Sequence, residues 1–180
     1  MQKMKTALVL GGARSGKSSF AQGLAEGSGL ARMLVATAVA GDEEMRHRIE
    51  QHRAGRGPSW QLVEEPLDLV AVVRKEATPE HIVLIDCLTL WLSNLMCAGL
   101  DAAHEGRRLA DSVPLLKGPV IFVSNEVGFG IVPDNAMARG FRDLQGRLNQ
   151  QLAQACDRVV LVVAGCPLQI KPAATLDYRF

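Results

Sequence analysis

The sequence predicts an α/β fold, with a mostly parallel sheet and helices on both faces, and three observations carry that prediction. Short β-branched runs alternate with longer segments of helical period, as crossovers between parallel strands require. The runs IVLI and VVLVV are apolar throughout, which suits strands buried on both faces. The first run, TALVLG, leads straight into the glycine-rich stretch GARSGKS and then into a helical segment.

Strands are expected at Thr6 to Leu10, Met33 to Ala36, Ile82 to Ile85, Val120 to Ser124 and Val159 to Val163, with a shorter one at Gln61 to Val63. Helices are expected at Gly16 to Glu26, Asp42 to Ala54, Leu67 to Glu76, Leu88 to Ala98, His104 to Val113 and Ala136 to Ala155. Gly27, Gly29, Pro79, Gly99 and the pair Gly118-Pro119 mark the turns between them. No repeat, low-complexity tract or linker interrupts the order, so residues 1–180 read as one domain.

Composition narrows the function classes. Twenty Lys and Arg against 19 Asp and Glu give a net charge of +1, and no basic stripe is interleaved with aromatics, which argues against a nucleic-acid partner. Cys87, Cys97, Cys156 and Cys166 show no CxxC spacing and read as buried thiols of a reducing compartment. No run reaches the roughly 18 apolar residues of a membrane span, and MQKMKTALVL is too short in its apolar part for a signal peptide. A cytoplasmic location is the expectation.

In open α/β sheets ligands bind beyond the carboxyl ends of the strands. The residues expected there are Gly11 to Ser18, Thr37, Asp86 and the pair Asn125-Glu126. Gly11 to Ser18 (Gly11, Gly12, Ala13, Arg14, Ser15, Gly16, Lys17, Ser18) fits GxxxxGK[ST], a pattern that arises by chance in such a chain on the order of once in a hundred. Backbone N–H groups of such a loop surround phosphate oxygens, Lys17 neutralises the β and γ phosphates, and the Ser18 hydroxyl ligates Mg²⁺. Asp86, an acid ending an apolar strand, is the expected second Mg²⁺ partner; the competing reading makes it the N-cap of the helix LTLWLSNLM.

A second cluster lies in GDEEMRHRIEQHRAGRGPSW. At 100° per residue Met45, Ile49 and His52 share one helix face within about 60°, while His47 points away. His52, followed by Arg53 and Arg56, reads either as a nucleophile beside two phosphate-binding guanidiniums or as a histidine packed at a helix end. His47, His81 and His104 have no such setting and are expected to face solvent. Farther along, SNEVGFGIVPDNAMARGFRDLQGRLNQQLA gives a glycine-rich rim loop followed by a helix with Arg139, Arg142 and Arg147. Glu126 and Arg139 are candidates for the acceptor side, and Arg142 and Arg147 fit a solvated helix face.

Taken together, GGARSGKS, DEEMRHRIEQHRAGRGPSW, IVLIDCLTLWLSNL and the NEVG…IVP…R…FRD…GR.NQ block resemble the bifunctional adenosylcobinamide kinase / adenosylcobinamide-phosphate guanylyltransferase family along essentially the whole chain. The resemblance implies a P-loop NTPase fold of RecA type and a homotrimer. It implies two reactions: phosphorylation of the aminopropanol hydroxyl of adenosylcobinamide by ATP or GTP, then transfer of GMP from GTP, through a guanylylated histidine, to adenosylcobinamide phosphate. By motif position the histidine is His52, although many relatives carry two adjacent histidines where this chain has Gln51-His52. Arg53, Ala54, Gly55, Arg56, Thr37, Glu64 and Asp86 match nucleotide-contacting positions, and Mg²⁺ is the implied cofactor. The competing readings are a single-activity P-loop kinase, with no use for His52, and a nucleotide switch, which the absence of an NKxD guanine motif disfavours. The tail CPLQIKPAATLDYRF is assigned no role.

Overall fold

A computed structural model of the chain describes residues 5–39 and 59–172. Its order is β1 (Thr6–Gly11), α1 (Lys17–Glu26), β2 (Ala31–Ala36), β3 (Trp60–Glu64), α2 (Leu69–Glu76), β4 (His81–Asp86), α3 (Leu88–Cys97), α4 (Ala102–Ser112), a 3₁₀ turn (Val113–Leu115), β5 (Val120–Asn125), α5 (Ala136–Ala155), β6 (Arg158–Val163) and β7 (Cys166–Lys171). All six expected strands are present, and the expected helices within the described residues lie within a few positions of their reading. The helix expected at Asp42 to Ala54 lies outside the described residues.

The seven strands form one sheet in the order β3-β2-β4-β5-β1-β6-β7. β1 to β6 pair in parallel and β7 runs antiparallel to β6. Successive side chains of a strand point to opposite faces, and the core divides accordingly. Val9, Leu34, Leu84, Ile121, Val123 and Val160 pack on the α1 side with Ala21 and Ala25. Leu8, Val35, Val83, Ile85, Phe122 and Val159 pack on the other side with Trp91 and Leu95 of α3, Leu109 of α4, and Leu148 and Leu152 of α5. This doubly covered arrangement is the reason the central strands are apolar throughout.

Helix starts follow local capping chemistry. Asp68, Asp101 and Asn135 accept from the backbone N–H of Ala71, His104 and Ala138, starting α2, α4 and α5. The Asp101 cap is why α4 begins at Ala102, two residues ahead of its expected start. α1 and α3, the two helices that begin at the carboxyl ends of β1 and β4, have no side-chain cap.

The tail, to which no role was assigned, adds an element: Cys166–Lys171 is an edge strand, joined to β6 through a two-residue turn in which Ala164 (φ 50°) and Gly165 (φ 80°) are both left-handed, the geometry of a tight hairpin. Two expectations are corrected. Of the four thiols only Cys156 is buried; Cys87 is half-buried, and Cys97 and Cys166 are exposed because they end a helix and open an edge strand. His104 faces solvent as expected, but His81 is half-buried at the start of β4, and its Nδ1 is enclosed with no hydrogen-bond partner. His47 lies outside the described residues.

Candidate functional site

The loop from Gly11 to Gly16 joins β1 to α1, and its bonds explain the residue types the motif requires. Arg14 (φ 56°) and Gly16 (φ 90°) are left-handed, and only glycine takes that conformation without a steric cost. A Cβ on Gly11 would overlap the Ser15 side chain and the carbonyl oxygen of Val162, and one on Gly16 would sit 3.2 Å from Gly165 Cα. The Ser15 N–H donates to Gly12 O at 3.3 Å and the Gly165 N–H donates to Ser15 O at 2.8 Å. The β6–β7 turn thus braces the loop from outside. Gly12, Ala13 and Arg14 are exposed, as backbone that must meet a ligand has to be.

Lys17, the first residue of α1, is buried, and its Nζ donates to Gly12 O at 3.2 Å, so the ammonium is folded over the cradle. Ser18 follows it, half-buried. With no side-chain cap on α1, the free N–H groups and dipole of its first turn are directed at the same place.

Asp86 ends β4, and β5 separates that strand from β1. The N-cap of α3 is Cys87, not Asp86, which removes the capping reading. Asp86 Oδ2 is buried without a hydrogen-bond partner, and a buried carboxylate oxygen is costly unless something pairs with it. The Cys87 thiol beside it is pushed up by burial and then by the Asp86 charge, so it stays protonated and is a poor metal ligand. Oxygen donors from Asp86 and Ser18 suit a hard divalent cation such as Mg²⁺.

Thr37 is fully buried, and its hydroxyl is engaged on both sides by one residue, donating to Cys87 O at 2.7 Å and accepting from Cys87 N–H at 3.1 Å. Its carbonyl accepts from Asn94 Nδ2 at 2.7 Å. Within the described residues Thr37 therefore fixes the segment following Asp86. Glu64 is exposed at the end of edge strand β3, in register with Ala36, which is in turn in register with Asp86. It shares the rim but stands two strands from Asp86. His52, Arg53, Ala54, Gly55 and Arg56 lie outside the described residues.

Of the two residues expected on an acceptor side, Glu126 donates its N–H to Gly11 O at 3.1 Å and accepts at Oε1 from Gly128 N–H at 2.7 Å. Arg139 Nη1 donates to the carbonyls of Pro133 and Asp134 at 2.9 and 2.8 Å, so it holds the rim loop in shape. Arg147 is exposed, as a solvated face predicts, whereas Arg142 is half-buried and pairs with the neighbouring Asp143. Phe129, Ile131, Val132 and Met137 project from this loop and the start of α5 into solvent.

Sequence reading missed Thr89, Gln145, Asn149 and Gly165, all of which shape the rim. Asn125 N–H donates to Thr89 Oγ1 at 2.9 Å, and Asn149 Nδ2 donates to Asn125 O at 3.0 Å. Gly165 left a legible signal, a small residue and a glycine between two apolar runs. The polar residues inside α3 and α5 left none, because only the packing of those helices shows what they touch.

Comparison with known proteins bears on the family and the fold. The model of the family described as "Cobinamide kinase / cobinamide phosphate guanyltransferase" matches residues 7–170. The bifunctional adenosylcobalamin biosynthesis protein CobP of Pseudomonas aeruginosa is 48% identical over 166 residues, covering 91% of this chain and 96% of that protein. The bifunctional adenosylcobalamin biosynthesis protein CobU of Salmonella typhimurium is 38% identical over 179 residues, covering 91% and 98%. Among solved structures, an ATPase of the type III secretion system of pathogenic bacteria superposes with a TM-score of 0.55 at 11% identity, covering 87% of this chain and 50% of that one. A protein from Pyrococcus horikoshii OT3 gives 0.54 at 12% identity, covering 93% and 88%. These two likenesses bear on the fold alone, which is a RecA-like P-loop NTPase fold as expected. The sequence relatives and the family match bear on descent: the chain belongs to the cobinamide kinase / cobinamide phosphate guanyltransferase family, transferases of adenosylcobalamin biosynthesis.

Proposed function

We propose that this chain performs two successive transfers at one nucleotide cradle. In the first, the terminal phosphoryl of ATP or GTP passes to the aminopropanol hydroxyl of adenosylcobinamide. In the second, His52 takes GMP from GTP with loss of pyrophosphate and then passes it to adenosylcobinamide phosphate, giving adenosylcobinamide-GDP. The observation that carries the reading is the convergence on one rim of the bonded loop Gly11 to Ser18, the inward ammonium of Lys17 and the unpartnered oxygen of Asp86.

Lys17 and the N–H groups opening α1 hold the phosphates and spread the negative charge that grows on them during transfer. Ser18 and Asp86 would hold Mg²⁺, which when bound supplies charge neutralisation and phosphate alignment. His52 acts as the nucleophile through a neutral ring nitrogen, splitting one difficult displacement into two easier ones, with Arg53 and Arg56 binding phosphate oxygens. Ala54, Gly55, Thr37 and Glu64 belong to the nucleotide surroundings. The exposed apolar side chains of the rim loop suit the acceptor's large ring. The reading includes a cytoplasmic homotrimer; among the described residues no helix is long and apolar enough to cross a membrane.

Dissection by variants tests it. His52→Ala is expected to keep adenosylcobinamide phosphorylation within a few-fold and to abolish guanylyl transfer. Lys17→Ala is expected to slow both steps by roughly 10²-fold or more, the scale of removing one charge-stabilising donor. A His52→Ala protein that lost the kinase step and kept guanylyl transfer would overturn the assignment.

A further inference from the structure

Asn125 is the last residue of β5, the strand lying between the β4 end that carries Asp86 and the β1 end that enters the phosphate loop. Its Cα is in register with Gly11, and Asp86 is in register with Val123. Partners across a ladder share a face of the sheet, and so do residues two apart. Gly11, Asn125 and Asp86 therefore lie on the same face as Val9 and Val123, the face packed against α1. Asn125 sits between the loop and the acidic group, on the side where Lys17 begins its helix.

Two features set this asparagine apart from an ordinary strand end. Its Oδ1 is buried with no hydrogen-bond partner, as are Asp86 Oδ2 and Ser15 Oγ, so three adjacent segments each present an unpartnered oxygen. A buried amide oxygen without a donor is a cost that a ligand can remove. Its backbone, in contrast, is held on both sides: the N–H by Thr89 Oγ1 and the carbonyl by Asn149 Nδ2. Asn149 belongs to a buried cluster on the opposite face, where its Oδ1 accepts from Ser124 Oγ at 2.7 Å and from Gln145 Nε2 at 3.1 Å, and Gln145 Nε2 also donates to Ser124 Oγ at 2.9 Å. Helices α3 and α5 thus fix the strand end while its side-chain oxygen is left without a partner. Catalytic groups need that preorganisation.

We infer that Asn125 is a catalytic residue of the kinase step: its side-chain oxygen accepts a hydrogen bond from the acceptor hydroxyl and aligns that hydroxyl with the terminal phosphorus held by the loop. The inference rests on the proposed kinase reading. In the step, the hydroxyl oxygen bonds to the terminal phosphorus and the bond from that phosphorus to the bridging oxygen breaks. The nucleoside diphosphate leaves with the electron pair, and the hydroxyl proton passes to solvent. A neutral amide orients the hydroxyl without taking the proton. Aspartate at this position would add a negative charge facing phosphate, and alanine would leave the hydroxyl unguided. Guanylylation of the enzyme involves no acceptor hydroxyl and does not need Asn125.

The test uses the full chain with Asn125→Ala and Asn125→Ser, whose folds are expected to hold because Thr89 and Asn149 touch only the backbone of residue 125. Three quantities are read: the Kd for GTP, the kcat for adenosylcobinamide phosphorylation, and covalent guanylylation of the protein by GTP. The expected result is a kcat lowered by roughly 10²-fold in Asn125→Ala, with a smaller loss in Asn125→Ser, and with Kd and guanylylation within threefold of wild type. Hydrolysis of nucleotide per corrinoid phosphorylated should also rise. A kcat within threefold of wild type overturns the inference, and so does a parallel loss of binding, guanylylation and kinase turnover, which would make the role purely structural. A wild-type protein that phosphorylates no cobinamide would instead defeat the kinase reading on which the inference rests.

Discussion

Gly11 is the residue at which sequence and site meet most directly, because a Cβ there would overlap both the loop's Ser15 side chain and the neighbouring strand's Val162 carbonyl. Gly11→Ala is expected to lower nucleotide affinity by at least tenfold while far-ultraviolet circular dichroism stays close to wild type, since the added methyl displaces the cradle and leaves the sheet intact; titration of both proteins with labelled GTP reads this. The loop glycines, Lys17 and Asp86 were legible in the sequence because phosphate binding dictates their type and spacing. The cysteines were not, because burial of a thiol depends on where its element lies in the sheet. Burial pushes the Cys156 thiol up to about 12, with nearby Asp157 adding to the shift. Cys97 and Cys166 are exposed. At pH 8 a soluble thiol reagent should label Cys97 and Cys166 in the native protein and reach Cys156 only on unfolding, which peptide mapping would show; rapid native labelling of Cys156 would contradict the packing.

Among elements, sequence reading left out β7 and the hairpin it makes with β6, and this hairpin reaches the site. Its Gly165 N–H braces Ser15, while at its other end Lys171 Nζ donates to the carbonyls of Ala153 and Gln154 at 3.0 and 2.8 Å, tying the strand to the end of α5. Gly165→Ala meets no atom within 4 Å, so its effect comes from the positive φ alone. That conformation costs an alanine about 1 kcal/mol. Weaker nucleotide binding by a few-fold, with a small drop in Tm, is the expected outcome, and unchanged binding would show that the turn does not support the loop. Arg139 joins α5 to the rim loop that precedes it. Arg139→Ala removes both carbonyl contacts to the rim loop, and it should raise KM for the corrinoid several-fold with little change in Kd for nucleotide. The strands were legible because double burial makes them apolar, and α5 because its period is long. The hairpin's edge strand, exposed along nearly its whole length, carries no such pattern.

Across the whole molecule, one side chain ties the start of β1 to the start of its neighbour β6, although the two are far apart in the chain. Asp157 Oδ2, just before β6, accepts from the backbone N–H groups of Lys5 and Thr6 at 2.8 and 2.9 Å and from the Thr6 hydroxyl at 3.0 Å. Partial burial pushes the Asp157 carboxyl up, but the two N–H donors, the hydroxyl and Lys171 outweigh it and hold it below its ordinary 3.8. A carboxyl lowered on folding contributes stability that is complete above pH 3.8 and is lost as pH falls through the lowered value. Asp157→Asn should therefore be less stable than wild type at neutral pH, by about 1 kcal/mol after allowance for its exposure, and the difference should shrink toward zero as pH drops below 3.8; denaturant titrations across that range check it. No sequence pattern announces such a contact, because it joins residues more than 150 positions apart.

Whether GMP passes through a covalent histidine at this cradle is decided by labelling. The purified protein is incubated with Mg²⁺ and GTP labelled on the α-phosphorus, denatured, and treated with acid or base. An acid-labile, base-stable label that maps to His52 and is absent from His52→Ala is the expected result. GTP bound to a folded protein with no covalent label, or a label that persists in His52→Ala, would contradict it.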